Sequence, residues 1–404
     1  MRSSLLLVLL VACGDNGSSN DASIVHDEAG EPEIDAAVGP FPSDGSSGAF
    51  APTTNTVLDA GIYQFTTIDI PSGVVVTTNG SGVLELRAQG DVNIAGVVNV
   101  SGGPGGAAIV GFGTGGGATG NPLSTGAAGS ATACPEGGSG GSGALGGPTT
   151  TVACAGTNAN TSGGFGGGAG GQYQGGGGAG GGGYAGGGGG RGAAGGSMGG
   201  TGGAASTAGG LGGQSDAAAA AYQGHDGVVN GLGGASGGGG SIGSAAIADL
   251  AVATTFYPGS GGGGGGAPQS AASVHSGGTG GGGGGGALRI ATPAHLTIAS
   301  TGSILANGGD GGDTAGTPAG YGGGGSGGVI FLSAPALTID GHVLSIGTVA
   351  PPGVTASTGG LGRIRISTTL ATCSITGAFA PALVNGCNPV GSFPTKTYVG
   401  AYPN

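Results

Sequence analysis

A stretch of alternating apolar residues recurs along the chain, and it constrains the fold more than any other feature. The clearest copy is Gly328 to Gly347, GVIFLSAPALTIDGHVLSIG, in which two alternating segments flank a short turn and glycine follows. The same arrangement starts at Val83 and at Ala287, and a shortened copy starts at Gly362. Apolar residues two positions apart are typical of strands with one buried face. Such units bury their apolar edges by stacking, which predicts a mostly β, short parallel β-helix or solenoid of about five rungs.

The pattern also predicts how the chain is divided. Residues 1–12 are expected to form a signal peptide, residues 13–48 an acidic tether, residues 49–370 the solenoid and residues 371–404 a tail. A glycine-rich insertion, residues 102–286, separates the second unit of the solenoid from the third. The alternative architecture is an antiparallel β-sandwich with glycine-rich loops.

Glycine dominates the insertion and two shorter connections. The chain contains 112 glycines in 404 residues, yet only 6% of its residues are charged and its mean hydropathy is +0.23. Disordered chains are usually more charged and less apolar, so we expect an ordered structure. Chains without side chains can pack closely as extended threefold helices that hydrogen-bond to each other. The glycine tracts resemble the polyglycine bundles of springtail antifreeze proteins and of the glycine-rich domain of Obg GTPases.

The N-terminal residues carry an export signal. Arg2 is followed by an apolar run and then by Leu10-Val11-Ala12-Cys13, which resembles the lipobox of bacterial lipoproteins. That resemblance implies cleavage before Cys13, a diacylglycerol thioether on its sulfur and anchorage in a membrane. Because Gly14 rather than Asp follows Cys13, an inner-membrane retention signal is absent and the expected location is the outer membrane, with the surface favoured over the periplasm. The tether that follows, Gly14 to Gly48, carries eight acids and no Lys or Arg.

The chain as a whole resembles uncharacterised glycine-rich lipoproteins of Gram-negative bacteria that have β-helix-like repeats. The resemblance covers roughly residues 56–370 as a pattern of strands and glycine tracts. The resemblance implies the architecture and the cellular location given above, and it implies no activity.

Four further cysteines predict two disulfides, since exported chains oxidise paired cysteines. The pairing of nearest neighbours, Cys134 with Cys154 and Cys373 with Cys387, is the simplest of three connectivities.

Candidates for chemistry are few. Asp310 and Asp313 match half of one calcium-binding nonapeptide, but that site needs tandem copies, so a solvated turn is favoured over a metal site. No other arrangement predicts a catalytic residue, and no cofactor is expected. A net charge of −12 with a single lysine excludes a basic surface for nucleic acid.

One column of side chains is predicted across the rungs. Aligning the repeats on their core residues places Glu85, Arg289, Phe331 and Arg365 side by side and facing away from the core. Stacking in this order would pair Glu85 with Arg289 and set Phe331 between two guanidinium groups. The alternative is four unrelated side chains that face solvent.

These observations predict a structural or adhesive protein of the cell surface without catalytic activity. Its expected partners are the membrane, through the lipid, and components of the cell surface or extracellular matrix. The alternative is a binding module for an ordered ligand, either a polysaccharide or ice.

Overall fold

A computed structural model describes residues 41–106, 258–259, 261–262, 281–313, 321–348, 358–388 and 397–402. The chain divides into residues 1–36 and residues 37–404, and everything described lies in the second unit. Cys13, Cys134 and Cys154 lie outside the described residues, as does most of the glycine-rich insertion.

The regular secondary structure of the described residues is β-strand, apart from one turn of 3-10 helix at Leu370–Thr372. Its strands are rich in Val, Ile and Leu, the apolar residues that fit a pleated surface with one buried face. In chain order they are β1 (Thr56–Phe65), β2 (Ile68–Ile70), β3 (Val75–Ala88), β4 (Val92–Ile94), β5 (Val97–Asn99), β6 (Ala287–Ala291), β7 (His295–Ile298), β8 (Ser303–Leu305), β9 (Val329–Ser333), β10 (Ala336–Ile339), β11 (His342–Leu344), β12 (Arg363–Thr368), β13 (Cys373–Ile375), β14 (Ala378–Ala380) and β15 (Thr397–Ala401).

The strands stack in three ladders. In the first ladder, the second halves of β1 and β3 are followed by β6, β9, β12 and β15. The second ladder runs β2, β4, β7, β10, β13. The third begins with the first halves of β1 and β3 and continues with β5, β8, β11 and β14. Because β1 and β3 run through both, the first and third ladders form one sheet.

Every strand pairing among the described residues is parallel, and the chain visits the three ladders in the same order again and again. The fold is therefore mostly β and solenoid-like, as the repeats predict. The antiparallel sandwich is wrong for this part of the chain, because each connection carries the chain to the next ladder rather than back beside the strand just completed.

Side chains of all three ladders meet in one apolar core. Aligned residues such as Leu84, Leu288, Ile330 and Ile364 are fully buried, and they occupy equivalent positions in neighbouring strands. The alternation of buried and outward residues has a period of two, so one register fixes which side chains reach the core.

The folded region extends beyond the boundaries expected from the sequence at both ends. Residues 41–48, expected in the tether, lie against the first ladder, where Ser47 N donates to Gln64 O at 2.8 Å and Gly48 O accepts from Thr66 N. Residues 371–401, expected in the tail, supply β13, β14 and β15 to the three ladders. Residues 41–48 contain no apolar repeat, and the strands within residues 371–401 are too short to stand out from turn-rich sequence.

No helix in the described ranges is both long and apolar enough to span a membrane.

Candidate functional site

The outward face of the first ladder carries the most unusual cluster of side chains in the described structure. The strand register pairs Glu85 with Arg289, Arg289 with Phe331, and Phe331 with Arg365. The structure thus brings the four predicted residues together in the predicted order. We call this column, with its extensions described below, the arginine–aromatic column.

Ion pairs occupy one end of the column. Arg289 Nη1 donates to Glu85 Oε1 at 2.6 Å, and Arg87 Nη2 donates to Glu85 Oε2, also at 2.6 Å. Glu85 therefore joins a neighbour two residues away on its own strand to a residue 204 positions along the chain. Charge-assisted hydrogen bonds of this kind are about twice as strong as neutral ones.

Aromatic rings alternate with guanidinium groups along the rest of the column. The Phe331 ring lies between Arg289 and Arg365, whose Cζ atoms are 5.5 and 4.8 Å from its centroid. Two further rings extend the alternation: Phe41 lies 4.0 Å from Arg289 Cζ, and Tyr398 lies 5.2 Å from Arg365 Cζ. Each arrangement places a cation within the range at which the ring quadrupole attracts it.

The column faces away from the core but is nevertheless buried. Phe331 and Arg365 are fully buried, and Arg289 is 4% exposed, so the alternative of four solvent-facing side chains is wrong. Burial lowers the pKa of Arg365 to about 10. Burial also lowers the pKa of Arg289, although the charge of Glu85 opposes this shift. Arginine keeps its charge in proteins near neutral pH, so both guanidinium groups are cations within the column.

Sequence reasoning missed three members of this cluster. Phe41 lies in a segment with the composition of a tether, and Tyr398 lies beyond the last recognisable repeat. Arg87 could have been found, because it lies two residues after Glu85 and so shares its outward face.

A second unusual feature is formed by four glycine segments, residues 100–106, 281–286, 306–313 and 321–328. Their backbones hydrogen-bond to each other at every third residue. Gly102 N donates to Asn307 O and, three residues on, Gly105 N donates to Asp310 O. Likewise, Gly282 N donates to Gly323 O and Gly285 N to Ser326 O. The same spacing separates the bond from Gly283 N to Gly103 O and the bond from Gly286 N to Val100 O. These segments are not β-strands, since ladder bonds recur at every second residue.

Glycine is required in these segments because the backbones approach too closely for a side chain. A Cβ built on Gly309 would overlap the carbonyl oxygen of Gly103, and one on Gly325 would overlap that of Gly283. All residues of 281–286 are buried. The segments therefore form a layer in which each backbone is the packing surface of its neighbours.

The remaining predicted residues do not assemble into a site. Asp310 and Asp313 are exposed, and the backbone oxygen of Asp310 accepts from Gly105 N at 2.6 Å. No group of three His, Cys, Asp or Glu side chains converges within the described ranges. Cys373 and Cys387 form the expected disulfide, with 6.0 Å between their Cα atoms.

Exposed polar side chains of the second ladder contact each other rather than a common centre. His295 Nε2 lies 3.0 Å from Thr338 Oγ1, and Thr376 Oγ1 donates to Asp340 Oδ1 at 2.6 Å. Asp91 Oδ1 accepts from the backbone N of His295 at 3.2 Å.

No protein family model matches this chain, and searches of curated proteins and of solved structures return no match.

Proposed function

We propose that this chain is a structural or adhesive lipoprotein of the outer membrane, anchored through Cys13, exposed at the cell surface and without catalytic activity. The observation that carries the proposal is the arginine–aromatic column. It ties the half-buried Glu85 to the buried Arg289 and Arg365, which are distant in the sequence, in one array on the outside of the solenoid. The most strongly interacting charges of the described chain thus serve its rigidity.

The glycine segments support the same role. We interpret their three-residue hydrogen-bond spacing as that of polyglycine II, whose helices have three residues per turn. Beside a solenoid of about five rungs, such helices would form a second rigid layer. This is the arrangement implied by the resemblance to springtail antifreeze proteins and to the glycine-rich domain of Obg GTPases.

The charge distribution of the described surface indicates what such a scaffold can contact. All four described arginines lie on the first ladder; Arg87 is half-buried and the other three are buried. The exposed charges of the described residues are carboxylates: Asp44, Asp59, Asp69, Asp91, Asp310, Asp313 and Asp340. Such a surface repels nucleic acids and anionic lipids, so the proposed partners are neutral or cationic components of the cell surface or matrix.

The test compares a deletion strain with strains that express the wild-type chain, Cys13→Ala or Asp59→Asn, the last of which changes an exposed carboxylate of β1. Immunolabelling of intact cells reports location, and retention on a solid surface and on neighbouring cells reports adhesion. We expect labelled wild-type cells, weaker adhesion after deletion, and rescue by wild type and Asp59→Asn but not by Cys13→Ala. Unchanged adhesion of the deletion strain, or hydrolysis of a polysaccharide by the purified chain, would contradict the proposal.

A second candidate function is the binding of a linear polysaccharide along the second ladder. The outward residues at the middle of its five strands form a continuous polar column: Asp69, Asn93, Thr297, Thr338 and Ser374. Strands in a sheet repeat at about 4.8 Å, so the column presents hydrogen-bonding groups at regular steps to an extended polymer. This supports a polysaccharide more than ice, because ice binding needs a flat array of uniform small residues.

Co-sedimentation with insoluble neutral glycans would test the second candidate. Binding that is lost in Thr297→Val and Thr338→Val, and kept in the control Leu305→Val on the third ladder, would favour it over the structural role. Equal binding by all three variants would rule out the polar column as the binding surface.

A further inference from the structure

The C-terminal end of the solenoid is closed by a loop, residues 381–388, which we call the cap. A disulfide joins Cys387 of the cap to Cys373 in β13. Leu383 packs against the apolar core. Thr397 Oγ1 of β15 lies 3.3 Å from Pro381 O and 3.2 Å from Ala382 O, as the hydrogen-bond donor to both. The cap therefore contacts strands of the first and second ladders and the core between them.

In the second and third ladders, the strands beneath the cap are less buried than the strands with which they pair. Cys373 and Ile375 of β13 are half-buried, whereas their register partners in β10, Leu337 and Ile339, are fully buried. Burial decreases in the same way in the third ladder, where Phe379 of β14 is half-buried and its register partner Val343 in β11 is fully buried. Each of these terminal strands has three residues and, among the described strands, one ladder neighbour. Short strands with a single neighbour have the lowest local stability in a sheet.

The N-terminal end is closed in a different way. Phe50 stacks on Phe65 with ring centroids 4.8 Å apart, and it forms a parallel bridge with Ile68 of β2. Packing and backbone hydrogen bonds close this end, whereas the closure at the other end includes a covalent bond.

We propose that the Cys373–Cys387 disulfide is a redox latch for the C-terminal end of the solenoid. A dithiol reductant breaks the S–S bond, two S–H groups form on the protein, and the dithiol becomes its cyclic disulfide. The freed cap leaves the core, and β13, β14 and β15 open locally while the inner strands stay folded. The inference rests on the proposed export, because it makes the end of the solenoid open in a reducing cytosol and closed in an oxidising compartment.

Hydrogen exchange of the full chain, followed peptide by peptide by mass spectrometry, tests the latch. On reduction we expect exchange to rise at least about tenfold at residues 373–380 and 397–401, with no change in β7 and β10. Cys387→Ser should show the same pattern without reductant and no further response to it. Cys134→Ser, which leaves this disulfide intact, should keep wild-type protection at residues 373–380 when oxidised.

Unchanged protection at residues 373–380 in Cys387→Ser would overturn the latch. Loss of protection throughout β7 and β10 would also overturn it, since the bond would then support the whole fold. If Cys387→Ser does not fold, hydrogen exchange of the folded wild-type chain can be followed over time after reductant is added. This measurement also distinguishes local opening of the C-terminal strands from loss of the whole fold. Failure of the export proposal would appear separately, as wild-type protein that is missing from the surface of intact cells.

Discussion

Glu85 and Arg289 are 204 positions apart in the sequence, yet their side chains meet at 2.6 Å on adjacent strands. The glycine-rich insertion follows β5, and after it the chain resumes in β6, next to β3 in the first ladder. Arg289 also contacts Phe41 and Phe331, so this ion pair connects the charged end of the column to its aromatic part. We expect loss of this ion pair to destabilise the whole first ladder.

Glu85→Gln should lower the free energy of unfolding by about 3 kcal/mol, because it leaves the buried Arg289 without its carboxylate. Urea unfolding followed by circular dichroism measures the loss. Asp69→Asn removes an exposed carboxylate and should change the stability by less than about 0.5 kcal/mol.

The double variant Glu85→Gln with Arg289→Met removes both charges and should lose less stability than Glu85→Gln alone. Equal stabilities of Glu85→Gln and Asp69→Asn would show that the ion pair contributes nothing to folding.

Phe331→Leu keeps an apolar side chain in the column but removes the ring between Arg289 and Arg365. We expect a loss of about 1–2 kcal/mol beyond the change in size, since two cation–π contacts disappear. Phe379→Leu is the matched control, because this half-buried ring lies on the third ladder, away from the arginines. Thermal unfolding of both variants measures the difference, and equal losses would argue that the ring acts only by filling space.

The order of the column could be predicted from the sequence for a physical reason. A period of two fixes which side chains share a face, and one register then aligns all the others. Leu84, Leu288, Ile330 and Ile364 mark that register clearly, because each lies within an alternating stretch. The outward neighbours of these residues follow without further information.

The residues that pack over the arginine–aromatic column could not be predicted, because such contacts leave no periodic pattern in the sequence. Phe41 contacts Arg289 from a segment with no alternating pattern, and Tyr398 lies in β15, beyond the last recognisable repeat. The glycine segments pose the same difficulty more strongly. Without side chains, nothing in their sequence marks which backbone lies beside which.

Phe41→Ala tests whether the folded region begins before residue 49. The ring of Phe41 meets that of Phe331 edge-on at 5.7 Å and lies over Arg289, so its removal should cost about 1–2 kcal/mol. Pro42→Ala, at an exposed neighbouring position, should have little effect on the melting temperature. If Phe41→Ala were as stable as Pro42→Ala, residues 41–48 would belong to the tether and not to the folded region.

Gly309→Ala tests whether the glycine segments are a packed layer. The added Cβ would overlap the carbonyl oxygen of Gly103, and both groups belong to backbones that are themselves hydrogen-bonded to neighbours. Neither backbone can move without breaking those bonds, so we expect a loss of about 3 kcal/mol or more. Because the chain has no Trp, urea unfolding is followed by circular dichroism.

Gly90→Ala provides the matched comparison for this substitution. A Cβ at Gly90 would lie 3.2 Å from Thr67 Cγ2 and 3.3 Å from Thr66 O, so a shift of a few tenths of an ångström suffices. We expect it to cost less than about 1 kcal/mol. If Gly309→Ala were tolerated equally well, the glycine backbones would not be in contact, and the rigid layer on which the structural role depends would be absent.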